Sequence, residues 1–226
     1  NQSTERPLSV VTLNENNLRA IAMMVDKVAV HIEMSGSNYH TADMIGFVIG
    51  NPATGYYASR DMSLLQKPEL RAVIENGDIK KNVFNVKAQL ILFKRLGLTL
   101  KGAQFDFLLV AYLLDTTDND NEMSTLAQRF DVYLTEDEEI YGKGAKYAVP
   151  DDEELVLMHL AHKADALIQL EMPALSALQS HQQTHLYTEI ELPLAHVLAE
   201  MEYQGFKIDR KRLQVIGEDL EARIHT

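Results

Sequence analysis

VAVHIEM, residues 28–34, alternates with period two: Val28, Val30, Ile32 and Met34 on one face, Ala29, His31 and Glu33 on the other, the pattern of a β-strand. It sets two ligand-type side chains, His31 and Glu33, side by side at i and i+2. Upstream, LSVVTL (8–13) suggests a first strand, and Asn14 or Asn16 is expected to cap a helix running to about Asp26. Downstream, MIGFVIG (44–50) and GYYAS (55–59) flank Asn51-Pro52-Ala53-Thr54, a turn signal that predicts a hairpin and three adjacent strands. Helices are expected near 68–76, over 86–96 and over 107–114, and short strands near 80–84 and 102–105. The sum is an α/β pattern of a mixed sheet with flanking helices. From about residue 152 everything reads as helix, with Asp209 capping a last one that carries Leu213, Ile216, Leu220 and Ile224.

Composition sets limits. The 226 residues are 46% hydrophobic, enough to bury a core for one domain and part of a second. Lys and Arg total 21 against 33 Asp and Glu, a net charge of −12 that repels a phosphate backbone at long range and argues for weak or no autonomous nucleic-acid binding. With no cysteine, disulfides, thiolate zinc sites and cysteine nucleophiles are excluded. The polar start, NQSTERP, lacks the apolar run of a signal peptide, and the longest apolar run, 107–114, is too short to span a bilayer; a cytoplasmic protein without membrane attachment is expected. Residues 115–154 hold nine acidic residues between Asp115 and Glu139 against one Arg, then Asp151-Asp152-Glu153-Glu154, and are expected to be a solvated surface segment with negative charges at helix N-termini.

Two further stretches are specific. GLTLKGAQFDFLLVAYLLD (97–115) resembles a segment of the 3′-to-5′ exonuclease domain of bacterial DNA polymerase I, and ELPLAHVLAEMEYQGFKIDRKRL (191–213) resembles the opening of that family's polymerase domain. The resemblance implies a ribonuclease-H-like 3′-to-5′ exonuclease fold followed by C-terminal helices. It divides the chain into a linker (1–7), an exonuclease-like domain (8–186) and a truncated start of the polymerase domain (187–226). The expected partners are the remainder of a DNA polymerase chain and, through that parent, DNA. Mg²⁺ is implied for the parent and no cofactor for this fragment, which lacks polymerase motifs.

A proofreading exonuclease hydrolyses a phosphodiester with two divalent cations roughly 3.5–4 Å apart, held by converging carboxylates. The resemblance places an Asp-x-Glu on the first core strand, an Asp on a mid-domain helix and a Tyr-x-x-x-Asp on the last helix of the domain. In this chain His31 takes the first Asp and Glu33 matches the Glu. Gln89 takes the mid-domain Asp, and in HLAHKAD His159 takes the Tyr and Lys163 the last Asp. Asp165 would restore a carboxylate if the register slipped, although two helical residues turn a side chain by about 200°. With three of four carboxylates replaced, the expected role is a vestigial, inactive exonuclease-like domain serving as a platform for the polymerase, as in the Gram-positive branch of the family. The alternative is a residual metal-dependent exonuclease on single-stranded ends, with Glu33 and His31 as ligands. A transition-metal site from His31, Glu33 and His159 is a further option, since imidazole and carboxylate suit zinc or manganese.

Other motifs read as structural. His181-Gln182-Gln183-Thr184-His185 mimics HExxH but has Gln where the general base must be, and is expected at a helix surface or junction. His31-Ile32-Glu33 lacks the P-C-x-x-C half of a zinc deaminase. Gly142–Lys146 lacks Walker spacing and reads as a turn. Asp106 is the expected N-cap of the helix beginning at Phe107.

Overall fold

The computed structural model describes residues 5–225. Six strands form one mixed sheet: β1 (Val10–Thr12), β2 (Lys27–Met34), β3 (Met44–Asn51), β4 (Gly55–Ser59), β5 (Lys80–Val83) and β6 (Ala103–Asp106), in the order β1-β4-β3-β2-β5-β6. β2, β3 and β4 are antiparallel neighbours, with His31 opposite Val48 and Glu33 opposite Gly46. β5 joins β2 in parallel only over Lys27–Ala29, and β6 joins β5 in parallel. Because β2 is central, both of its faces are buried: Val28, Val30 and Ile32 enter one apolar cluster and Ala29 the other.

Helices cover both faces. The first cluster packs α1 (Arg19–Ala22), α2 (Pro68–Ile74) and α3 (Val86–Arg95) against the sheet; the second holds α4 (Phe107–Leu114), α5 (Met123–Gln128) and α7 (Glu153–Ser180), with α6 (Asp137–Tyr141) between them in sequence. The 28-residue α7 lies across strands β1 to β5. Gly46 permits its close approach, since a Cβ there would come 2.9 Å from the Ser59 carbonyl oxygen and 3.2 Å from Leu160 Cδ1. A π-helical turn, Leu186–Glu191, leads into α8 (Leu192–Ile224).

Two local expectations are corrected. The helix expected to start at Asn14 or Asn16 is only Arg19–Ala22, because Asn14 and Asn17 instead bond the backbone of their own loop, Asn17 Oδ1 accepting from Asn14 N–H and Asn14 Oδ1 from Asn16 N–H. Asp209 caps nothing: α8 runs through it without a break. Its first half is anchored to α3, with Glu202 accepting from Lys87 at 2.9 Å and Glu200 paired with Lys94. Of the segment expected as a linker, residues 1–4 lie outside the described residues. Glu5 and Arg6 are tied to the body, Glu5 to His162 at 2.8 Å and Arg6 to Asp165.

Asp106 does cap α4, and it also accepts from the backbone N–H of Asn85 and Val86 at the start of α3. Burial pushes its carboxyl up to about 6 against the opposing pull of those N–H groups. The His181–His185 stretch is the α7–α8 junction. His181 closes α7 and Gln182 takes a left-handed φ of 58°, so the two His do not share a helix face.

Candidate functional site

The sheet and α7 meet in a buried polar cluster. On β2 the period-two alternation sets His31 Nε2 3.1 Å from Glu33 Oε1. On α7, His159 and Lys163 stand at i and i+4 and therefore face the same way. Lys163 Nζ donates to both oxygens of Glu33, each at 2.9 Å, and lies 2.8 Å from Asp137 Oδ1. His159 Nε2 is 2.7 Å from the same Asp137 oxygen, and Tyr141 donates its hydroxyl to Glu33 Oε2 at 3.0 Å. His31, Glu33, His159 and Lys163 are all buried; Asp137 sits at the rim.

Gln89 closes the floor. β5 has left β2 before Ile32, whose N–H and C=O would be unpaired on that side. The Gln89 carboxamide accepts from Ile32 N–H at 2.8 Å and donates to Ile32 C=O at 3.0 Å, standing in for a strand, and its nitrogen lies 3.4 Å from His31 Nδ1. A carboxylate in this place has no hydrogen to donate to Ile32 C=O.

The electrostatics follow from this geometry. Burial alone would raise the Glu33 carboxyl, but the Lys163 ammonium and the His31 hydrogen bond hold it well below the usual carboxylate range. Asp137 behaves likewise: burial raises it, and His159 and Lys163 bring it down. Burial would lower Lys163, yet the facing carboxylates of Glu33 and Asp137 hold it above the ordinary lysine value. Burial and the adjacent Glu33 charge push the Tyr141 hydroxyl up, so it keeps the proton that it donates to Glu33.

The structure thus brings His31, Glu33, Gln89, His159 and Lys163 together and leaves Asp165 out. The Asp165 carboxylate accepts from Tyr56 at 2.8 Å, from Arg6 Nε at 3.1 Å and from Gln169 at 2.7 Å, turned toward β4 and the N-terminal segment. It points away from this pocket, as the helical phase between positions 163 and 165 dictates.

Sequence reasoning missed Asp137 and Tyr141, which lay inside the acidic run read as solvated surface. A signal was present: the two are four residues apart in DEEIY, one face of a short helix, and Ile140 and Tyr141 break the acidic run with apolar bulk. Tyr141 packs with Ile45 and Val156 and carries α6 over the pocket. Among the described residues one group has metal-ligand proximity. Glu33, Asp137 and His159 each offer a donor atom, and these lie within 4.8 Å of one another. His159 Nδ1 is buried without a hydrogen-bond partner.

Residues 30–170 match the family model described as DNA polymerase I, ribonuclease H-like domain. The chain is 36% identical over 223 residues to DNA polymerase I of Bacillus caldotenax, covering 98% of this chain and 25% of that protein. It is 35% identical over 203 residues to that of Bacillus subtilis strain 168, covering 89% and 23%. It therefore spans about a quarter of the length of these relatives.

Among solved structures, the POL domain of Pol1 from M. smegmatis, in complex with DNA primer-template and dNTP, superposes with a TM-score of 0.67 at 17% identity, over 87% of this chain and 32% of that one. Brucella melitensis NrnC superposes with a TM-score of 0.65 at 16% identity, over 87% and 92%. At those identities the likeness shows the fold alone, a ribonuclease-H-like mixed sheet with flanking helices. The sequence match goes further: the chain belongs to the DNA polymerase I family, as its ribonuclease H-like, exonuclease-type domain.

Proposed function

We propose that this domain is catalytically silent as a 3′-to-5′ exonuclease and serves as a structural platform for the polymerase portion of a longer chain acting in DNA replication and repair in the cytoplasm. One observation carries the reading: the Lys163 ammonium lies between Glu33 and Asp137, where a divalent cation would have to sit. The residues present do not fit a pair of Mg²⁺ ions. Such ions need several converging oxygen ligands. Here Glu33 is committed to Lys163, His31 and Tyr141, Gln89 to the backbone of Ile32, and Asp137, the one other carboxylate, to Lys163 and His159. Tyr141 from α6 also donates to Glu33 Oε2 and so occupies one of its lone pairs.

The test is degradation of a 3′-labelled single-stranded oligonucleotide in Mg²⁺ and then Mn²⁺, with Glu33→Ala as control for contaminating nuclease. No cleavage beyond the control is expected; cleavage that the substitution abolishes would overturn the reading. For the platform role, deleting residues 8–186 from the parent polymerase is expected to lower its stability or processivity, and an enzyme unchanged in both would contradict it. The proposed DNA partner is reached through the polymerase portion of the parent chain.

A further inference from the structure

We propose that Lys163 acts as a tethered internal cation that closes a latent transition-metal site whose ligands are Glu33, Asp137 and His159. The inference rests on reading this pocket as a silenced cation site and adds which ion the remaining donors would take. Its donor set differs from the four-carboxylate pattern implied by family resemblance, since Asp137 and His159 bring one carboxylate from α6 and one imidazole from α7.

Three independent features of the pocket support it. The donor atoms of Glu33, Asp137 and His159 already lie within 4.8 Å of one another, so a shared ion needs only a small contraction. Lys163 Nζ sits 2.9 Å and 2.8 Å from the two carboxylates, against the ~2.1 Å of a zinc–oxygen bond, so each would move in by roughly 0.7–0.8 Å. The buried His159 ring brings Nε2 to 2.7 Å from Asp137 Oδ1, so an imidazole nitrogen already meets the carboxylate that Lys163 holds.

Charge completes the case. Glu33 and Asp137 together carry −2 and Lys163 returns +1, while a divalent ion would return +2 in the same place. The ion class follows from ligand type: mixed nitrogen and oxygen donors favour Zn²⁺ or Mn²⁺ over Mg²⁺, which demands near-octahedral oxygen and holds its waters. Three protein ligands leave a fourth position for water, within reach of the Tyr141 hydroxyl that now bonds Glu33.

The test removes the tether in the whole chain. In Lys163→Ala, ZnCl₂ at about 100 times its Kd is expected to raise the melting temperature by roughly 5–10 °C, with one-site binding by calorimetry. The wild type should show neither. Adding Asp137→Asn to Lys163→Ala should weaken that binding at least tenfold.

Lys163→Ser is the companion variant. If either variant is unfolded without metal, zinc-dependent recovery of its circular dichroism is the positive result. If neither variant binds or refolds with zinc, or if the wild type binds as tightly as the variants, the proposal is overturned. The oligonucleotide assay on the wild type separately judges the silent-exonuclease reading, so the two failures cannot be confused.

Discussion

At the scale of single residues, the Glu33–Lys163 pair shows how a buried charge can be stable only in company. Removing one partner leaves the other buried with weaker company, Lys163 with Asp137 alone or Glu33 with His31 and Tyr141, so Glu33→Ala or Lys163→Ala should each cost up to about 3–5 kcal/mol in urea unfolding. The double substitution Glu33→Gln with Lys163→Met should cost much less than the sum of the two single losses. The pH dependence has a definite sign. Glu33 is held below its ordinary 4.5, so its contribution is complete above that value and drains away as the pH falls through the depressed one. Lys163 is held above its ordinary 10.5, so its contribution is complete below that value and is lost only as the pH rises through a higher one. Stability from this pair should therefore be flat between about pH 5 and 10 and fall below that window. The urea midpoint of the Glu33→Gln, Lys163→Met double variant should lose that acid-side fall.

At the scale of elements, Asp106 joins two helices, accepting from Asn85 and Val86 at the head of α3 and from Leu108 in α4. Asp106→Ala should destabilise by about 2–4 kcal/mol, twice the usual loss of one cap. A carbon-13 carboxyl titration should find its midpoint near 6. The charged form is the disfavoured one here, so this residue's contribution is full below its ordinary 3.8 and declines as the pH rises through about 6. Such pairings explain what the sequence made legible. The alternation of residues 28–34 was readable because one face of β2 enters an apolar cluster while the other turns His31 and Glu33 into the polar cluster beside α7, and the Asp106 cap because capping is local. The length of α1 and the unbroken course of α8 were not. In α1 the Asn side chains chose their own loop over the helix end, and in α8 the Lys87 and Lys94 pairs hold the helix from outside its own sequence. Asp137 was misread for a similar reason: its partner, Lys163, is a neighbour only after folding.

At the scale of the whole molecule, α8 is the least covered element. Leu213, Ile216, Leu220 and Ile224 recur on one face at helical spacing and are 54–78% exposed, with Leu194, Val197 and Met201 similarly open nearer its start. An apolar stripe of this extent favours association. Sedimentation velocity at rising concentration should show self-association, and Leu213→Glu with Leu220→Glu should suppress it. Among the described residues no helix is long and apolar enough to cross a membrane, so the stripe is not a spanning segment.

The tether at position 163 also bears on how easily the chain could change course. Lys163→Asp alone would set a third carboxylate against Glu33 and Asp137, while His31 and Gln89 still offered nothing to hold a second ion. That single substitution would carry the repulsion of three like charges and gain no complete catalytic centre in return. On the silent-domain proposal, a change from carboxylate to lysine at this position would be easy and its reversal obstructed. The salt bridge would then work as a ratchet, and chains that carry it would be expected to vary the rest of the pocket.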